Sequence, residues 1–318
     1  MINDYIIIGA GLSGLNTATK LNQLNFNNVL VLDKARGVGG RIATRRTLDT
    51  KFDHGAQFYK VKEDINELHQ YWKHKGIGHK WFTKNHIEYW SSSAGMTAFP
   101  KAMMDGLNIL LEKQITTITQ ENDLWKLTSD KGEEWISEKL IISSPLPQTN
   151  KLLENLDGKN ILNNKVYDEL KKITYQKALV LLVSLEEDIT LNDHGYLEFN
   201  DGVLYSIADQ KAKGLSQIPA YTITMGPDFS ENEFDIADSE ITAKILDHLS
   251  KVLPTIKVKE VELKKWRYCK PNSSIGTLFV EVAPKLFLIG DSFGGPSLSG
   301  ALRSSNALIK HLTQSSTT

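Results

Sequence analysis

The chain has 318 residues, enough to bury a sizeable core and to form two domains. Its 37 basic and 38 acidic side chains leave a net charge of −1, which excludes a strong field of one sign for attracting nucleic acid. Charged residues make up 24% and hydrophobic residues 41% of the chain, as in an ordinary globular protein. The single cysteine, Cys269, excludes an internal disulfide and is typical of a reducing compartment.

The apolar stretch at residues 5–15 differs from a secretory signal in three ways. It lacks a positively charged beginning, it follows Asp4, and glycines interrupt it at a spacing typical of nucleotide binding. No apolar run in the sequence reaches the ~18 residues of a membrane-spanning helix. We therefore expect a cytoplasmic protein that binds neither membranes nor nucleic acid.

The first elements predict a nucleotide-binding unit. Residues 5–8 predict a buried strand, residues 13–24 a helix, and residues 29–32 a second strand of branched apolar residues. This β-α-β unit occupies about 30 residues, the usual length for binding a dinucleotide.

The middle of the chain predicts a mixed set of elements. Helices are expected at residues 63–74 and 96–111, with a strand at 87–90 between them. Short strands near residues 115–119, 124–129 and 134–136 predict an antiparallel meander, and 139–142 predicts another buried strand.

The rest of the chain predicts a separate region followed by a return to the first domain. Residues 148–263 indicate an α+β region, with strands at 179–185 and 221–225 and a helix at 241–253. A last strand at 285–290 and a last helix at 299–312 follow.

The order of elements predicts an α/β plus α+β fold, a discontinuous Rossmann-type domain with an interleaved substrate domain. We assign residues 1–54, 94–150 and 264–318 to the cofactor-binding domain. Residues 55–93 and 151–263 then form the substrate domain.

The first glycine motif, GAGLSG, lies directly after the first strand. Gly9 permits the tight turn, Gly11 lets the backbone approach a pyrophosphate, and Gly14 lets the helix pack closely on the strand. Asp33 follows at the end of the second strand, where a carboxylate accepts hydrogen bonds from ribose hydroxyls. This motif alone would also fit a nicotinamide dehydrogenase.

Two further motifs favour a flavin dinucleotide. In GVGGR the glycines leave the backbone bare, so that Arg41 can reach the pyrophosphate. In IGDSFGG, Asp291 ends a strand where it can accept a hydrogen bond from a ribityl hydroxyl. The helix that follows residues 296–300 would direct its N-terminal amides at the flavin N1–C2=O edge and favour the reduced form.

Together these motifs resemble the flavin amine oxidase superfamily, of the p-hydroxybenzoate-hydroxylase-like fold, and within it the renalase family. The resemblance covers nearly the whole length. Six segments carry it: GAGLSG, DKARGVGGR, DHGAQF, GMTAFP, KWRYCKP and FLIGDSFGG. It implies FAD contacts at Ser13, Arg41, Gln57 and Phe58, with Ile115 near the adenine. No cysteine lies near the last motif to attach the flavin, so we expect non-covalent FAD.

The expected FAD-binding residues come from the three motifs and from the resemblance. They are Gly9, Gly11, Ser13, Gly14, Asp33, Lys34, Arg36, Gly40, Arg41, Gln57, Phe58, Ile115, Asp291, Leu298 and Ser299.

The resemblance to the renalase family also implies a reaction. Such proteins oxidise mis-reduced isomers of NADH and NADPH, the 2- or 6-dihydronicotinamides, return NAD(P)⁺ and pass the electrons to oxygen as hydrogen peroxide. Hydride transfer from a dihydropyridine to flavin N5 leaves an aromatic cation and requires no general base. We accordingly assign no catalytic side chain and no metal, and interpret His69, His74, His79 and His86 as surface residues.

The candidate substrate pocket consists of Gln57, Trp266 and Arg267, with Tyr89 and Trp90 as further candidates. Trp266 could form a wall above the flavin, and Arg267 could meet a phosphate or carboxamide. Because Tyr89 and Trp90 are neighbours on a predicted strand, they should point to opposite faces, so at most one lines the cavity. Ordinary strand packing explains these aromatic residues equally well.

Other functions stay open at this stage. An amine or polyamine oxidase would use the same FAD framework, but the second aromatic residue typical of that branch is absent, since Gly276 precedes Thr277 and Leu278. A flavoprotein that senses reduced nucleotides with little turnover is a second alternative. A plain NAD dehydrogenase would leave GVGGR and IGDSFGG unexplained. The oligomeric state could be monomer or homodimer.

Overall fold

The computed structural model describes residues 2–26, 28–47, 49–156 and 161–315, and the architecture below refers to these. The strands, in chain order, are β1 Ile2–Ile8, β2 Val29–Leu32, β3 Thr44–Arg46, β4 Lys51–Asp53, β5 Tyr59–Lys60, β6 His79–Lys84, β7 Ile87–Ser91, β8 Asn108–Leu110, β9 Ile115–Glu121, β10 Leu124–Ser129, β11 Glu134–Ile142, β12 Tyr175–Leu185, β13 Tyr196–Glu198, β14 Leu204–Asp209, β15 Ala220–Met225, β16 Val258–Pro271, β17 Val280–Ala283 and β18 Leu286–Leu288.

Helices connect and cover these strands. They are α1 Leu12–Gln23, α2 Asn66–His74, α3 Ala98–Ala102, α4 Leu146–Leu153, α5 Asn164–Lys171, α6 Pro227–Glu233, α7 Asp238–Val252, α8 Asp291–Gly294 and α9 Leu298–Ser315.

The largest sheet is the Rossmann-type core that the sequence predicts. Its order is β17-β18-β11-β1-β2-β8, and the β9–β10 hairpin extends it by pairing β10 with β11. The strands β18, β11, β1, β2 and β8 run parallel. Ile7 packs into one core, and Ile6 and Ile8 pack into another on the opposite face. Both faces are therefore covered, which explains why these strands are apolar throughout.

The second sheet is antiparallel, in the order β13-β14-β15-β12-β16, with β16 at its edge. Alternation along β12 separates its two faces. Leu179 and Leu181 pack with Ile245 of α7, whereas Val180 and Leu182 pack with Phe52 of β4. The second face thus lies against the hairpin formed by β3 and β4, immediately beside the DHGAQF segment.

The predicted helix at residues 96–111 is wrong in its second half. Helix α3 ends at Ala102, Gly106 has a φ of 72°, and the chain then forms β8. Val31 of β2 lies opposite Ile109 of β8 in a parallel pair. The edge of the large sheet supplies the hydrogen bonds that convert this apolar stretch from helix to strand. Similarly, the two strands predicted at 134–136 and 139–142 form one strand, β11.

The domain boundaries remain a proposal. The strands of the large sheet fall in residues 1–54, 94–150 and 264–318, as assigned, and β12 to β15 fall in the substrate domain. Two assigned boundaries cut regular elements, because residue 150 lies within α4 and residue 263 within β16. A boundary at an element's end would suit the chain better at both places.

Gly14 provides a direct test of the packing of α1 on the first loop. A Cβ added at Gly14 would lie 2.0 Å from the carbonyl oxygen of Gly9, a backbone atom that cannot rotate away. We expect Gly14→Ala to lower the free energy of unfolding by about 1–3 kcal/mol or more in urea denaturation. Gly37→Ala is the control, because its Cβ would meet nothing within 4 Å. Equal denaturation midpoints for the two variants would contradict this packing.

Candidate active site

The GAGLSG loop forms a cradle for an anion. The N–H of Gly9 donates to Leu32 at 2.8 Å, which holds the loop on β2. Helix α1 then begins after Gly11 with no side-chain cap and no acidic residue in its first turn. A Cβ at Gly11 would meet open space. Uncapped N-terminal amides beside a bare backbone suit a pyrophosphate, in charge and in shape.

Asp33 braces this cradle from the end of β2. Its Oδ2 accepts from the N–H of Ala10 at 2.6 Å, and its Oδ1 accepts from the N–H of Ala35 at 2.8 Å. Each carboxylate oxygen keeps a second lone pair with which to accept from a sugar hydroxyl. Lys34 and Arg36 are exposed in the loop that follows.

Ile115 lies in the same corner of the molecule as Asp33. It begins β9 and is buried, and the preceding N–H of Lys113 donates to the carbonyl of Asp33 at 2.9 Å. The structure therefore brings Ile115 to the end of the cradle expected to hold the adenosine half of the cofactor.

Arg41 and Asp291 join the second and third motifs directly. Arg41 donates two hydrogen bonds to the Asp291 carboxylate, each 2.7 Å long, and a third to the carbonyl of Cys269 at 3.0 Å. Burial opposes the charge on Arg41, but Asp291 outweighs it and raises the pKa of the guanidinium. Two groups expected to contact the same cofactor thus lie side by side, 250 residues apart in sequence.

The turn into α9 requires glycine. A Cβ on Gly294 would lie 1.9 Å from the carbonyl oxygen of Gly300, and Ser297 caps the helix by accepting from the N–H of Gly300 at 3.0 Å. Leu298 and Ser299 form the first turn of the helix.

Helix α9 begins beside α1. The hydroxyl of Ser13 donates to the carbonyl of Ala301 at 2.9 Å, so the first turns of the two helices are held together. Helix N-termini favour negative charge, and both termini belong to segments expected to contact the cofactor.

A buried ion pair lies next to this region. Asp53 and Lys213 are both 0% exposed, and Lys213 Nζ lies 2.8 Å from Asp53 Oδ2. The other oxygen of Asp53 accepts from the Thr44 hydroxyl at 2.6 Å and from the N–H of Met96 at 2.8 Å. Burial lowers the pKa of Lys213, and the carboxylate of Asp53 partly restores it. One carboxylate thus connects the hairpin, the GMTAFP segment and the second domain.

The side chain of Gln57 is fully engaged inside the protein. Its oxygen accepts from Lys213 at 3.2 Å and from Gln210 at 3.3 Å, and its nitrogen donates to the carbonyls of Asp53 and Gly55. An amide has two protons and two lone pairs, so this set exhausts its hydrogen-bonding capacity. The side chain of Gln57 therefore shapes residues 53–57, and a cofactor contact here would come from the backbone.

Trp266 and His54 form a stacked pair on the hairpin side of the second sheet. The ring centroids are 5.2 Å apart and the angle between the ring planes is 25°. Trp266 Nε1 also donates to the carbonyl of His54 at 2.8 Å. Burial is the main cause that lowers the pKa of His54 to about 4, so the ring is neutral at physiological pH. Arg267 lies on the opposite face, exposed, where it contacts Asp235 and the ring of Phe234. The structure does not bring Arg267 to Trp266.

The remaining pocket candidates separate into two clusters. The ring centroids of Phe58 and Tyr89 are 4.8 Å apart, and both residues belong to an aromatic cluster with Phe82. Trp90 points to the other face of β7, where it packs on His69 at 4.6 Å within the main core. Tyr89 and Trp90 thus face opposite ways, as their alternation requires.

The histidines do not behave uniformly. His74, His79 and His86 are exposed, but the interpretation of His69 as a surface residue is wrong: it is 3% exposed and pairs with the hydroxyl of Tyr59 at 3.0 Å. It occupies an inward position of α2, beside Trp72. Among the described residues, no group of three His, Cys, Asp or Glu side chains is arranged to hold a metal ion.

Three residues of this region were not expected from the sequence. Lys213 and Gln210 lie in a polar stretch, QKAKG, that is typical of an exposed turn. Only their pairing with Asp53 and Gln57, more than 150 residues away, shows that they are buried. His54 could have been noticed, since it lies inside DHGAQF.

Comparison with known proteins identifies the framework. A model of flavin containing amine oxidoreductases matches residues 69–304, and a model of NAD(P)-binding Rossmann-like domains matches residues 7–74. The chain belongs to the flavin-containing amine oxidoreductase family. Its cofactor is therefore FAD. The uncapped N-terminal amides of α1 and the open space beside Gly11 fit a pyrophosphate in charge and in shape.

The relatives refine this assignment. Renalase of Mus musculus is 21% identical over 339 residues, which span 96% of this chain and 98% of that protein. Protein anon-37Cs of Drosophila melanogaster is 31% identical over 74 residues, 23% of this chain and 15% of its own length. The protein is a renalase-like, FAD-dependent oxidoreductase.

Solved structures support the fold. "Putative protoporphyrinogen oxidase" from Exiguobacterium sp. 255-15 superposes with a TM-score of 0.77 at 12% identity, over 98% of this chain and 99% of the other. The CLA-producing fatty acid isomerase from P. acnes superposes with a TM-score of 0.74 at 14% identity, over 97% of this chain and 98% of the other. In the described part of the chain, no helix has the length and apolar character to cross a membrane.

Lys213 is the residue whose removal tests the buried network. Lys213→Met leaves Asp53 buried without its cation, and we expect the free energy of unfolding to fall by about 3–5 kcal/mol in urea denaturation. Lys211→Met is the matched control, because Lys211 lies two residues away and pairs with Asp188 at the surface. Its removal should cost no more than about 1 kcal/mol. A loss of similar size in both variants would contradict a buried ion pair.

Proposed function

We propose that this protein is an oxidase of mis-reduced dihydro-NAD(P) isomers, the 2- or 6-dihydronicotinamides. The observation that carries the proposal is the end-to-end similarity to renalase, which includes both domains. When bound, FAD would accept a hydride from the dihydropyridine and pass the electrons to O2, which yields NAD(P)⁺ and hydrogen peroxide.

The protein's own residues would position the two reactants. The first turns of α1 and α9, together with Arg41 and Asp291, would hold the cofactor at the carboxyl ends of β1 and β18 in the large sheet. Trp266, stacked on His54, would provide a flat wall for the nicotinamide on the opposite side.

The protonation states near this wall agree with the proposed chemistry. Lys213 is tied to Asp53, burial lowers the pKa of His54 to about 4 and so disfavours its protonated form, and the amide of Gln57 is saturated. None of these three groups is poised to take up a proton. Hydride loss from a dihydropyridine produces an aromatic cation without proton removal, so such a site suffices for it.

Oxidation of an amine has less support, although the family takes its name from that reaction. The segment where that branch has its second aromatic residue contains Gly276, Thr277 and Leu278 here, and all three are exposed. Phe279, the next aromatic residue, packs against His311 of α9. No aromatic cage for an amine is built from this segment.

Anaerobic reduction of the FAD-loaded protein tests the proposal. The protein is mixed with 2- and 6-dihydro-NAD(P), with ordinary NADH and with a panel of amines, and flavin absorbance is followed near ~450 nm. We expect rapid bleaching by one or both dihydro isomers and slow or no bleaching by the others. Bleaching by an amine would move the assignment to the amine oxidase branch. If no compound bleaches the flavin but the reduced nucleotides still bind, the result would favour a sensor of reduced nucleotides.

A further inference from the structure

A strip of side chains on β16 continues from Trp266 along the same face of the second sheet. Because side chains alternate along a strand, Glu262, Lys264 and Trp266 share one face. They lie opposite Leu182, Val180 and Ala178 of β12, on the face that packs against the β3–β4 hairpin. At about 3.3 Å per residue, Lys264 lies roughly 7 Å and Glu262 roughly 13 Å from Trp266 along the strand.

The far end of this strip places two cations around the carboxylate of Glu262, and Glu260 lies one position further along the same face, opposite Ser184. The carboxylate of Glu262 accepts from Arg45 of β3, with Nη2–Oε1 at 3.2 Å and Nε–Oε2 at 3.3 Å. The same carboxylate accepts from Lys264. Two cations therefore share one anion. The side chains of Arg45 and Lys264 are 47% and 25% exposed, so a ligand can reach both.

We propose that Arg45 and Lys264 form an anion subsite for the phosphates of a dinucleotide substrate. The subsite rests on the proposed function, because it assumes that the nicotinamide lies against Trp266. Ribose and pyrophosphate would then follow the strip toward the two cations. Glu262 holds the cations in position when no ligand is bound, and it competes with the incoming phosphates.

Arg267 cannot perform this role from its observed position. It follows Trp266 directly in sequence and therefore points away from the strip, toward Asp235 and Phe234. The assignment of the phosphate contact thus moves from Arg267 to Lys264, which lies two residues before Trp266, and to Arg45 on the facing hairpin. Arg267 becomes a matched control, being a cation on the same strand with the opposite orientation.

Calorimetric titration with ADP-ribose tests the subsite without any redox reaction. ADP-ribose carries the pyrophosphate but no nicotinamide, and the titrations use protein isolated with its FAD. We expect Lys264→Gln and Arg45→Gln each to weaken binding about fivefold, the size expected for a partly exposed ion pair. Arg267→Gln should bind like the wild type. Glu262→Gln should bind more tightly, because it removes the competing carboxylate.

The outcomes separate the subsite from the proposed function. Wild-type binding that weakens with added salt, and loses much of that dependence in Lys264→Gln, would support the subsite. No binding of ADP-ribose to the wild type, or equal affinities for Lys264→Gln and Arg267→Gln, would overturn it. Weaker binding by Glu262→Gln would also overturn it. Failure of the dihydro isomers to bleach the flavin, by contrast, would count against the proposed function.

Discussion

Two opposite charges withdrawn from water meet where the β3–β4 hairpin lies under the second sheet. Asp53 holds Lys213, Thr44 and the backbone of Met96, and Lys213 also holds Gln57. Either charge alone would cost several kcal/mol to bury, so these segments are stable there only together. The pair fixes residues 53–57, and with them His54 and the wall that it forms with Trp266.

The cofactor-binding half depends on a different set of contacts. The loop after β1 and the turn before α9 come from opposite ends of the chain, and Ser13 and the Arg41–Asp291 pair hold them together. The second sheet then approaches through the carbonyl of Cys269. Arg41 thus links the second and third glycine-rich motifs to the edge strand of the second sheet.

Much of this architecture could be predicted from the sequence, because backbone requirements leave local signals. Gly9, Gly11 and Gly14 predict a nucleotide loop, and the tight turn at Gly9 and the close contact at Gly14 are present in the structure. The helix predicted at residues 96–111 is wrong in its second half for a physical reason. A short apolar run suits a helix or a strand, and pairing with β2 makes this one a strand, β8. Lys213 gave no signal, because a buried cation in a polar turn is recognisable only from its distant partner. Arg267 could have been placed correctly, since strand alternation already separates it from Trp266.

A crystal structure of the FAD-loaded protein with NADP⁺ would test the central claim. The claim is that the β3–β4 hairpin and the second sheet together form one substrate-binding surface facing the cofactor. The account predicts the nicotinamide between the flavin and Trp266, with phosphates near Arg45 and Lys264. The Asp53–Lys213 pair should remain closed beneath it. A nucleotide bound on the other face, beside Arg267 and Phe234, would contradict the account.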